Sequence, residues 1–289
     1  MPPRFYCCPM PDPPEGLAES GSDAGRCVLG PDESRHACKV LRLAVGDAVE
    51  LFDGSGRIAR ARILDADASA VVCQIEQLRH ARILGPSLTV ASAVPKGPRA
   101  VEMVNQLAQL GVDAWVPLAC ERSVVDPRRW GLRGGQRYER GALAAAKQSG
   151  RPTLLRIEPA HTLAEALARP AARRLLLHVA EPDKTPGVQP ALADSPGTYP
   201  NHDASPWPSV WPEARQHGGE DEGEGGVWLL VGPEGGWSES EVAAAVAAEA
   251  RLWRIAPHVL RIETAAIAAA AIAGYLATTA PPTPADRRD

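Results

Sequence analysis

The chain has 289 residues, of which 45% are hydrophobic, and a formal net charge of −4. This length suits one large domain or two modest ones, and the acidic balance argues against a protein that is basic over its whole surface. No apolar run approaches the roughly 18 residues that a transmembrane helix needs, and the first residues lack the apolar core of a signal peptide. The six cysteines form no CxxC pair, so we expect reduced thiols, no metal site and a cytoplasmic location.

Residues 1–85 predict a small β-barrel. Short apolar runs at 49–52, 57–64 and 70–75 are separated by turn signals, and the sequence Asp53-Gly54-Ser55-Gly56 is typical of a hairpin. Residues 86–280 have a different sequence pattern, in which short apolar strands alternate with helices of amphipathic or alanine-rich sequence. Strands are predicted at 88–94, 115–118, 174–180, 227–231 and 252–255, and helices at 100–110, 137–149, 238–250 and 264–276, with a short helix from Thr162. This alternation predicts an α/β domain with a mostly parallel sheet.

Residues 181–226 interrupt the α/β pattern. The segment has eight prolines, seven glycines and nine acidic residues against two basic ones. We expect an exposed and largely disordered insertion, and a loose tail after residue 280. By contrast, residues 121–156 contain nine arginine or lysine residues and three acidic ones. Clustered arginines suit the recognition of phosphate, although a solvated helix face would have the same composition.

Two motifs near the end of the chain could carry chemistry. The first is the glycine-rich turn Gly232-Pro233-Glu234-Gly235-Gly236, which joins a buried strand to a helix that begins with a capping box at Ser238 and Glu241. The second is Leu260-Arg261-Ile262-Glu263-Thr264-Ala265 at the start of the last helix. Both are expected at the carboxyl edge of the sheet, where open α/β sheets bind ligands. The glycine spacing matches neither a Rossmann fingerprint nor a phosphate-binding P-loop.

Together the two motifs resemble the RsmE family, a group of knotted SPOUT-class RNA methyltransferases that depend on S-adenosylmethionine and act on N3 of a uridine in 16S ribosomal RNA. The similarity extends over nearly the whole chain. The further matching positions are Arg4-Phe5-Tyr6, His36, Val40-Leu41-Arg42, Asp53-Gly54-Ser55-Gly56, Lys96, Leu110-Gly111-Val112, Arg122-Ser123, Gln148-Ser149 and Arg151.

The resemblance implies an N-terminal PUA-like β-barrel, an RNA-binding domain over residues 1–85, and an α/β methyltransferase domain with a trefoil knot over residues 86–280. It also implies a homodimer that acts on the small ribosomal subunit. S-adenosylmethionine would lie among three loops near the knot. The residues implied to bind it are Leu177, His178, Val231, Gly232, Pro233, Glu234, Gly235, Gly236, Leu260, Arg261, Glu263, Thr264 and Ala265.

The implied chemistry is transfer of a methyl group to uracil N3, which must lose its proton. Arg261 is the first candidate for stabilising the developing anion, and Glu263 and Glu234 are candidate bases or loop-orienting groups. The candidate RNA contacts are Arg4, His36, Arg42, Lys96, Arg99, Arg122, Gln148 and Arg151. Two alternatives stay open: a related knotted RNA methyltransferase with another target nucleotide or a ribose 2′-hydroxyl target, and a non-catalytic RNA-binding or ribosome-assembly protein.

Overall fold

The structure is a computed structural model that describes residues 2–13, 25–81, 85–130, 132–178 and 226–279. The expected insertion, apart from Gly226, and the expected tail lie outside the described residues. The chain divides into two compact units. The first consists of residues 1–83 and 143–154, and the second of residues 84–142 and 155–289.

The first unit contains a five-stranded sheet. Its strands are β1 (Arg4–Tyr6), β2 (Arg26–Val28), β3 (Ala48–Phe52), β4 (Arg57–Ala66) and β5 (Val71–His80), and helix α1 (Pro31–Arg35) with a following π-helical turn (His36–Val40) lies between β2 and β3. The strand order is β1-β3-β4-β5-β2, with β1 parallel to β3 and the other pairs antiparallel.

The long hairpin β4–β5 forms most of this sheet. Along β4 the side chains of Ile58, Ala61 and Ile63 are buried, whereas Arg60 and Arg62 between them are exposed, which is the alternation of a sheet with one buried face. The pairing of β4 with β5 shifts register between Arg60 and Ala61 and between Ile63 and Asp65. Such irregularities bend a strand and increase its twist, so the sheet can curl around its core.

Residues 143–154 are grouped with the first unit, and they bond to helix α1 and to the turn between β3 and β4. The Leu154 amide donates to the Gly54 carbonyl at 2.9 Å, and the Lys147 ammonium lies 2.7 Å from a Glu33 carboxylate oxygen. Gly54 has φ +81°, and a Cβ there would lie 2.6 Å from Cγ of Leu154, so only glycine fits the contact. The boundary expected at residue 85 placed residues 143–154 in the second domain, whereas in the structure they are grouped with the first compact unit.

The second unit contains a seven-stranded sheet with helices. Its strands are β6 (Leu88–Ser92), β7 (Ala114–Ala119), β8 (Arg156–Ile157), β9 (His161–Thr162), β10 (Arg173–Leu177), β11 (Val227–Val231) and β12 (Arg251–Trp253). The helices are α2 (Arg99–Gln109), α3 (Leu132–Ser149), α4 (Leu163–Leu167), α5 (Glu239–Ala247) and α6 (Ile262–Thr279), of which α3 continues into the first unit. The strand order is β12-β10-β11-β6-β7-β8, with β9 also paired to β7, and every pair is parallel.

The central strands β11 and β6 are buried over their whole length, as expected for a parallel sheet that is covered on both faces. Helices α2 and α6 pack against each other, and α6 also packs against β6 and β11. Helix α3 begins at Leu132 rather than at Arg137, because the Trp130 side chain packs on Gly134, where a Cβ would lie 2.6 Å from Cβ of Trp130. Among the described residues, no helix is both long and apolar enough to cross a membrane.

Candidate functional site

Three neighbouring parallel strands of the second unit end at one edge of the sheet. β10 lies between β11 and β12, and its last residue, Leu177, is aligned with Val231 and with Trp253, the last residues of the other two strands. The carboxyl ends of parallel strands are where α/β sheets bind ligands. A cavity of about 490 Å³ lies at this edge. Its volume falls in the usual range of small-molecule sites.

The glycine-rich loop after β11 forms one wall of the cavity. Gly236 has φ +71°, and its amide donates to the Pro233 carbonyl at 2.9 Å to close a turn. A Cβ on Gly232 would lie 2.7 Å from the Trp237 indole. The indole Nε1 in turn donates to the Leu177 carbonyl at 3.0 Å. Glycine at position 232 therefore lets the Trp237 ring close against the loop and join it to the end of β10.

Helix α5 begins with the capping box that the sequence predicts. Ser238 Oγ accepts the Glu241 amide at 3.2 Å, and Glu241 Oε2 accepts the Ser238 amide at 2.8 Å. The buried Glu241 carboxylate also accepts the Glu121 amide at 3.0 Å. The next residue in the chain, Arg122, donates from Nη1 to the Gly235 carbonyl at 3.3 Å. The segment after β7 is thus bonded both to the glycine-rich loop and to the start of α5.

Ten of the thirteen residues that the resemblance implies for cofactor binding line this cavity. They are Leu177, His178, Val231, Gly232, Pro233, Glu234, Gly235, Gly236, Leu260 and Ala265. Arg122, an expected RNA contact, lines it as well. Sequence analysis missed Trp237, Trp253, Ile262 and the segment 254–259, most of which also lines the cavity. Trp253 could have been found, because its predicted strand ends at the edge where the ligand site was expected.

The other three expected cofactor residues lie elsewhere. Arg261 is exposed and is not part of the cavity lining, although its chain neighbours Leu260 and Ile262 are. Glu263 and Thr264 line a second cavity, of about 460 Å³, along helices α2 and α6. Ile262 and Ala265 share one face of α6 by their spacing of three, which turns the intervening side chains away from the first cavity. Glu263 is therefore not placed to act as a base in the first cavity.

Arg99, expected as an RNA contact, bridges two carboxylates. Its Nη1 atom lies 3.1 Å from Oε1 of Glu263 and 3.7 Å from Oε1 of Glu234. Glu234 comes from the glycine-rich loop and Glu263 from the first turn of α6. The sequence could not show this contact, because the three residues are far apart in the chain and no local pattern connects them.

His178 is the histidine at the end of β10. Its amide donates to the Trp253 carbonyl at 3.1 Å, and its side chain is half-buried in the cavity wall. Burial lowers the pKa of His178 from its ordinary value of 6.5, because a buried imidazolium loses hydration. The ring is therefore harder to protonate than an imidazole in water. No group of three or more histidine, cysteine, aspartate or glutamate side chains among the described residues could hold a metal ion.

Comparison with known proteins identifies the chain. The family model described as "RNA methyltransferase domain" matches residues 84–274, and the model described as "RNA methyltransferase PUA domain" matches residues 29–76. The chain is similar to the ribosomal RNA small subunit methyltransferase E of Mycobacterium bovis, with 28% identity over 94% of this chain and 91% of that protein. It is also similar to the Bacillus subtilis protein of the same name, with 25% identity over 84% of this chain and 88% of the relative.

The chain belongs to the RsmE family of RNA methyltransferases. A solved probable rRNA-methyltransferase from Porphyromonas gingivalis is 25% identical, with a TM-score of 0.71 over 96% of this chain and 98% of that one. A ribosomal RNA small subunit methyltransferase E from Neisseria gonorrhoeae, solved bound to S-adenosylmethionine, is also 25% identical, with a TM-score of 0.67 over 96% of this chain and 98% of that one. The expected combination of a PUA-like domain and an RNA methyltransferase domain is confirmed.

In the first unit of this RsmE-family chain, the expected RNA contacts differ in exposure. Arg42 and Gln148 are exposed, and His36 is half-buried with its ring 6.2 Å from that of Phe5. The Arg4 side chain is only 12% exposed, and its guanidinium carbon lies 4.4 Å from the centre of the Phe52 ring.

Arg4 is also bonded within the first unit. It donates to the Arg151 carbonyl at 3.1 Å, and its Nε lies 3.5 Å from a Glu50 carboxylate oxygen. Desolvation by burial lowers the pKa of Arg4. The guanidinium of Arg4, which was expected to contact RNA, is thus engaged by groups of its own unit. Arg151 also donates from Nε to the Thr153 hydroxyl at 2.8 Å.

In the second unit, Lys96 and Arg122 are exposed, and Arg122 is in addition part of the cavity lining. Arg99 is the expected RNA contact whose guanidinium is engaged with two carboxylates. Arg254 is exposed and also lines the cavity, and its guanidinium donates to the carbonyls of Ala256 and Pro257. The other exposed arginines that line the cavity or adjoin its lining residues are Arg122 and Arg261. Of these two, Arg122 was expected to contact RNA, and Arg261 was expected to stabilise the developing anion.

Proposed function

We propose that this chain transfers the methyl group of S-adenosylmethionine to N3 of a uridine in 16S ribosomal RNA of the small subunit. Its membership of the RsmE family and the S-adenosylmethionine bound by its relative from Neisseria gonorrhoeae support the proposal. The observation that carries it is the cavity at the carboxyl ends of β10, β11 and β12, with the glycine-rich loop as one wall.

The residues of the cavity fit S-adenosylmethionine. The apolar side chains of Leu177, Val231 and Leu260 suit an adenine ring, and the nearly bare backbone of the loop 232–236 offers amides and carbonyls for close hydrogen bonds. Burial of His178 disfavours its positive charge, which would repel a sulfonium. When bound, S-adenosylmethionine supplies a methyl group on a positively charged sulfur.

The side chains of the chain would act on the uracil. The N3 proton must leave, and its pKa is well above neutral, so a nearby cation lowers the energy of the developing anion. Arg261 and Arg122 are the candidates, because each is exposed and each is placed within or next to segments that line the cavity. Glu234 is the carboxylate that lines the cavity and is our candidate for accepting the proton. In this proposal Glu263 has no direct role in the transfer.

Three finer features accompany the proposal. The backbone of the second unit would form a trefoil knot, which is consistent with the return of the chain from β12 at the sheet edge to α6 across β11 and β6. The protein would act as a homodimer, which is consistent with the exposed apolar side chains of Leu110, Ile272 and Tyr275 at the end of α2 and on α6. It would act in the cytoplasm, and its chemistry requires no metal.

Two other functions make different predictions. A related enzyme with another target nucleotide, or with a ribose 2′-hydroxyl target, would bind the same cofactor and yield another methylated product. A non-catalytic RNA-binding or assembly protein would bind small-subunit RNA without S-adenosylmethionine. The Trp237 ring packs directly against Gly232 and is hydrogen-bonded to the end of β10, so the wall of the cavity is held in place. This arrangement favours a cavity that holds a ligand over the non-catalytic alternative.

The test begins with calorimetric titration of the purified full chain with S-adenosylmethionine. We expect saturable binding, and loss of it in Gly235→Val, because a Cβ at that position already lies 3.3 Å from Cβ of Arg122. Small subunits that lack the modification are then methylated in vitro, and the modified nucleotide is mapped. Methylation at uridine N3 supports the proposal, and a different product selects the related enzyme. Absence of cofactor binding both with and without small-subunit RNA would refute any methyltransferase function.

A further inference from the structure

The side chain of Arg99 joins three elements of the second unit. Arg99 is the first residue of α2, Glu234 belongs to the glycine-rich loop after β11, and Glu263 belongs to the first turn of α6. One guanidinium nitrogen of Arg99 lies 3.1 Å from Glu263 and 3.7 Å from Glu234. Helices α2 and α6 pack against each other, so the arginine and Glu263 are held at a helix contact.

The Glu263 carboxylate depends on this arginine. Its side chain is only 15% exposed, and its Oε1 atom accepts the hydrogen bond from Arg99. Its Oε2 atom is buried and has no hydrogen-bond partner among the residues that the structure describes. A buried carboxylate without a cation is costly, because it loses hydration and gains nothing in exchange. Removing Arg99 would leave Glu263 in that condition.

The two carboxylates also repel each other. Both lie within 4 Å of a single nitrogen atom of Arg99, so their negative charges are close together. The guanidinium between them converts this repulsion into two attractions. Without it, the lowest-energy response is for Glu234, whose side chain is 45% exposed, to move away into solvent. The glycine-rich loop would move with it.

The two carboxylates mark two walls of the first cavity. Glu234 is itself part of the lining, and Glu263 lies between Ile262 and Ala265, which are lining residues on the other face of the same helical turn. The ion pairs of Arg99 with Glu234 and Glu263 therefore fix the distance between the glycine-rich loop and the start of α6. Arg99 itself is not part of the lining.

We infer that Arg99 is a positioning residue that holds the two walls of the S-adenosylmethionine site at their binding distance, and that it is not an RNA contact. This inference rests on the proposed function for the identity of the ligand. It accounts for a charged side chain that is two-thirds buried next to the site and is already engaged with two acids.

The test compares Arg99→Gln, Arg99→Lys and the wild type by calorimetric titration with S-adenosylmethionine. We expect the dissociation constant of Arg99→Gln to rise about tenfold or more, because a misplaced wall costs binding energy throughout the site. Lysine keeps the positive charge but not the planar fork, so Arg99→Lys is expected to restore part of the affinity. Thermal unfolding of each variant shows whether the second unit still folds.

A second substitution separates positioning from simple loss of stability. If Arg99→Gln weakens binding because Glu263 is left unpaired, then the double variant Arg99→Gln, Glu263→Gln should bind S-adenosylmethionine more tightly than Arg99→Gln alone. Glu102→Gln is the matched control. Glu102 lies one turn along α2, lines the same second cavity as Arg99 and Glu263, is exposed, and accepts a hydrogen bond from Gln106 at 3.4 Å. Its substitution is expected to leave the affinity unchanged.

RNA binding provides the opposing outcome. If Arg99 contacts a phosphate, then Arg99→Gln would keep its affinity for S-adenosylmethionine, would bind small-subunit RNA more weakly, and would show a shallower salt dependence by about one counterion. That result overturns the inference, as does unchanged affinity for both molecules. We expect instead an unchanged RNA affinity and salt slope.

Amide hydrogen exchange of the proteins without any ligand keeps the inference separable from the proposed function. Arg99→Gln should accelerate exchange in the segments 232–237 and 262–266 relative to Glu102→Gln. If the wild type does not bind S-adenosylmethionine, the proposed function fails, and this exchange pattern alone then decides whether Arg99 holds the walls together. Equal exchange rates in the two variants would refute the positioning role.

Discussion

Gly232→Ala tests whether the contact between the glycine-rich loop and Trp237 shapes the cavity. The added Cβ would lie 2.7 Å from Cε2 and 2.9 Å from Cδ2 and Nε1 of the indole. Carbon atoms in contact prefer about 3.5–4.0 Å, so the ring must move by about 1 Å. That movement stretches the hydrogen bond from Trp237 Nε1 to the Leu177 carbonyl, which is now 3.0 Å long.

The expected magnitude combines two costs. Overpacking costs about 1–3 kcal/mol, and loss of one neutral hydrogen bond costs about 1 kcal/mol, so the total is about 2–4 kcal/mol. Trp237 lines the cavity, so the cost divides between stability and ligand affinity. A cost that fell entirely on binding would raise the dissociation constant of S-adenosylmethionine about thirtyfold to a thousandfold.

The assay pairs thermal unfolding with calorimetric titration of the same preparations. Gly135→Ala is the matched control, because a Cβ at Gly135 meets no atom within 4 Å and the residue lies in helix α3. This control should keep the wild-type affinity and gain up to about 1 kcal/mol of stability from the better helix propensity of alanine. If Gly232→Ala retained both the melting temperature and the affinity of the wild type, the role assigned to the indole would be wrong.

Three further predictions concern single side chains. Arg261→Ala should abolish methyl transfer while leaving the melting temperature nearly unchanged, because the side chain is exposed; unchanged turnover would remove Arg261 from the mechanism. Burial lowers the pKa of His178, so the unfolded chain binds its proton more readily; the resulting stability is fully present above pH 6.5 and is lost as the pH falls through the folded-state pKa. Unfolding midpoints from about pH 7.5 to about pH 5 should therefore decline more steeply for the wild type than for His178→Gln. Glu241→Gln should lower the free energy of unfolding, measured with denaturant, by about 1–3 kcal/mol. The buried carboxylate accepts hydrogen bonds from two backbone amides, and the substitution would place an NH2 donor against one of them.

The sequence predicted the elements that have local signals. The capping box at Ser238 and Glu241 placed the start of α5, and the five-residue apolar run Val227–Val231 placed the buried strand β11. Short elements such as β2 were missed, because a three-residue strand has no periodicity to detect and depends on pairing with a distant partner. The first helical turn of α3 was missed because its two glycines disfavour a helix locally, and packing of Trp130 against Gly134 overrides that preference.

In the candidate site, too, contiguous motifs were predicted from the sequence, whereas contacts between distant residues were not. The glycine-rich loop was predicted because its residues are contiguous in the sequence. The residues predicted to bind the cofactor form much of the lining of the cavity. The orientation of side chains around the start of α6 was not predictable from the motif alone. Glu263, which was expected at the cofactor site, lines the second cavity beside Arg99. Arg99 and Arg4 were expected to contact RNA because they are basic. Their carboxylate and carbonyl partners are distant in the chain and could be found only in three dimensions.

The first unit is built from two separate segments of the chain, and this affects when its contacts can form during translation. Its strands leave the ribosome first, yet Lys147 and Leu154, which bond to Glu33 and Gly54, are synthesised only after residues 84–142. Most multidomain chains can finish an N-terminal domain before the next one appears. Here Glu33 and Gly54 can meet Lys147 and Leu154 only after residues 84–142 have been translated. A fragment that ends at residue 85 would therefore lack contacts that belong to the first unit.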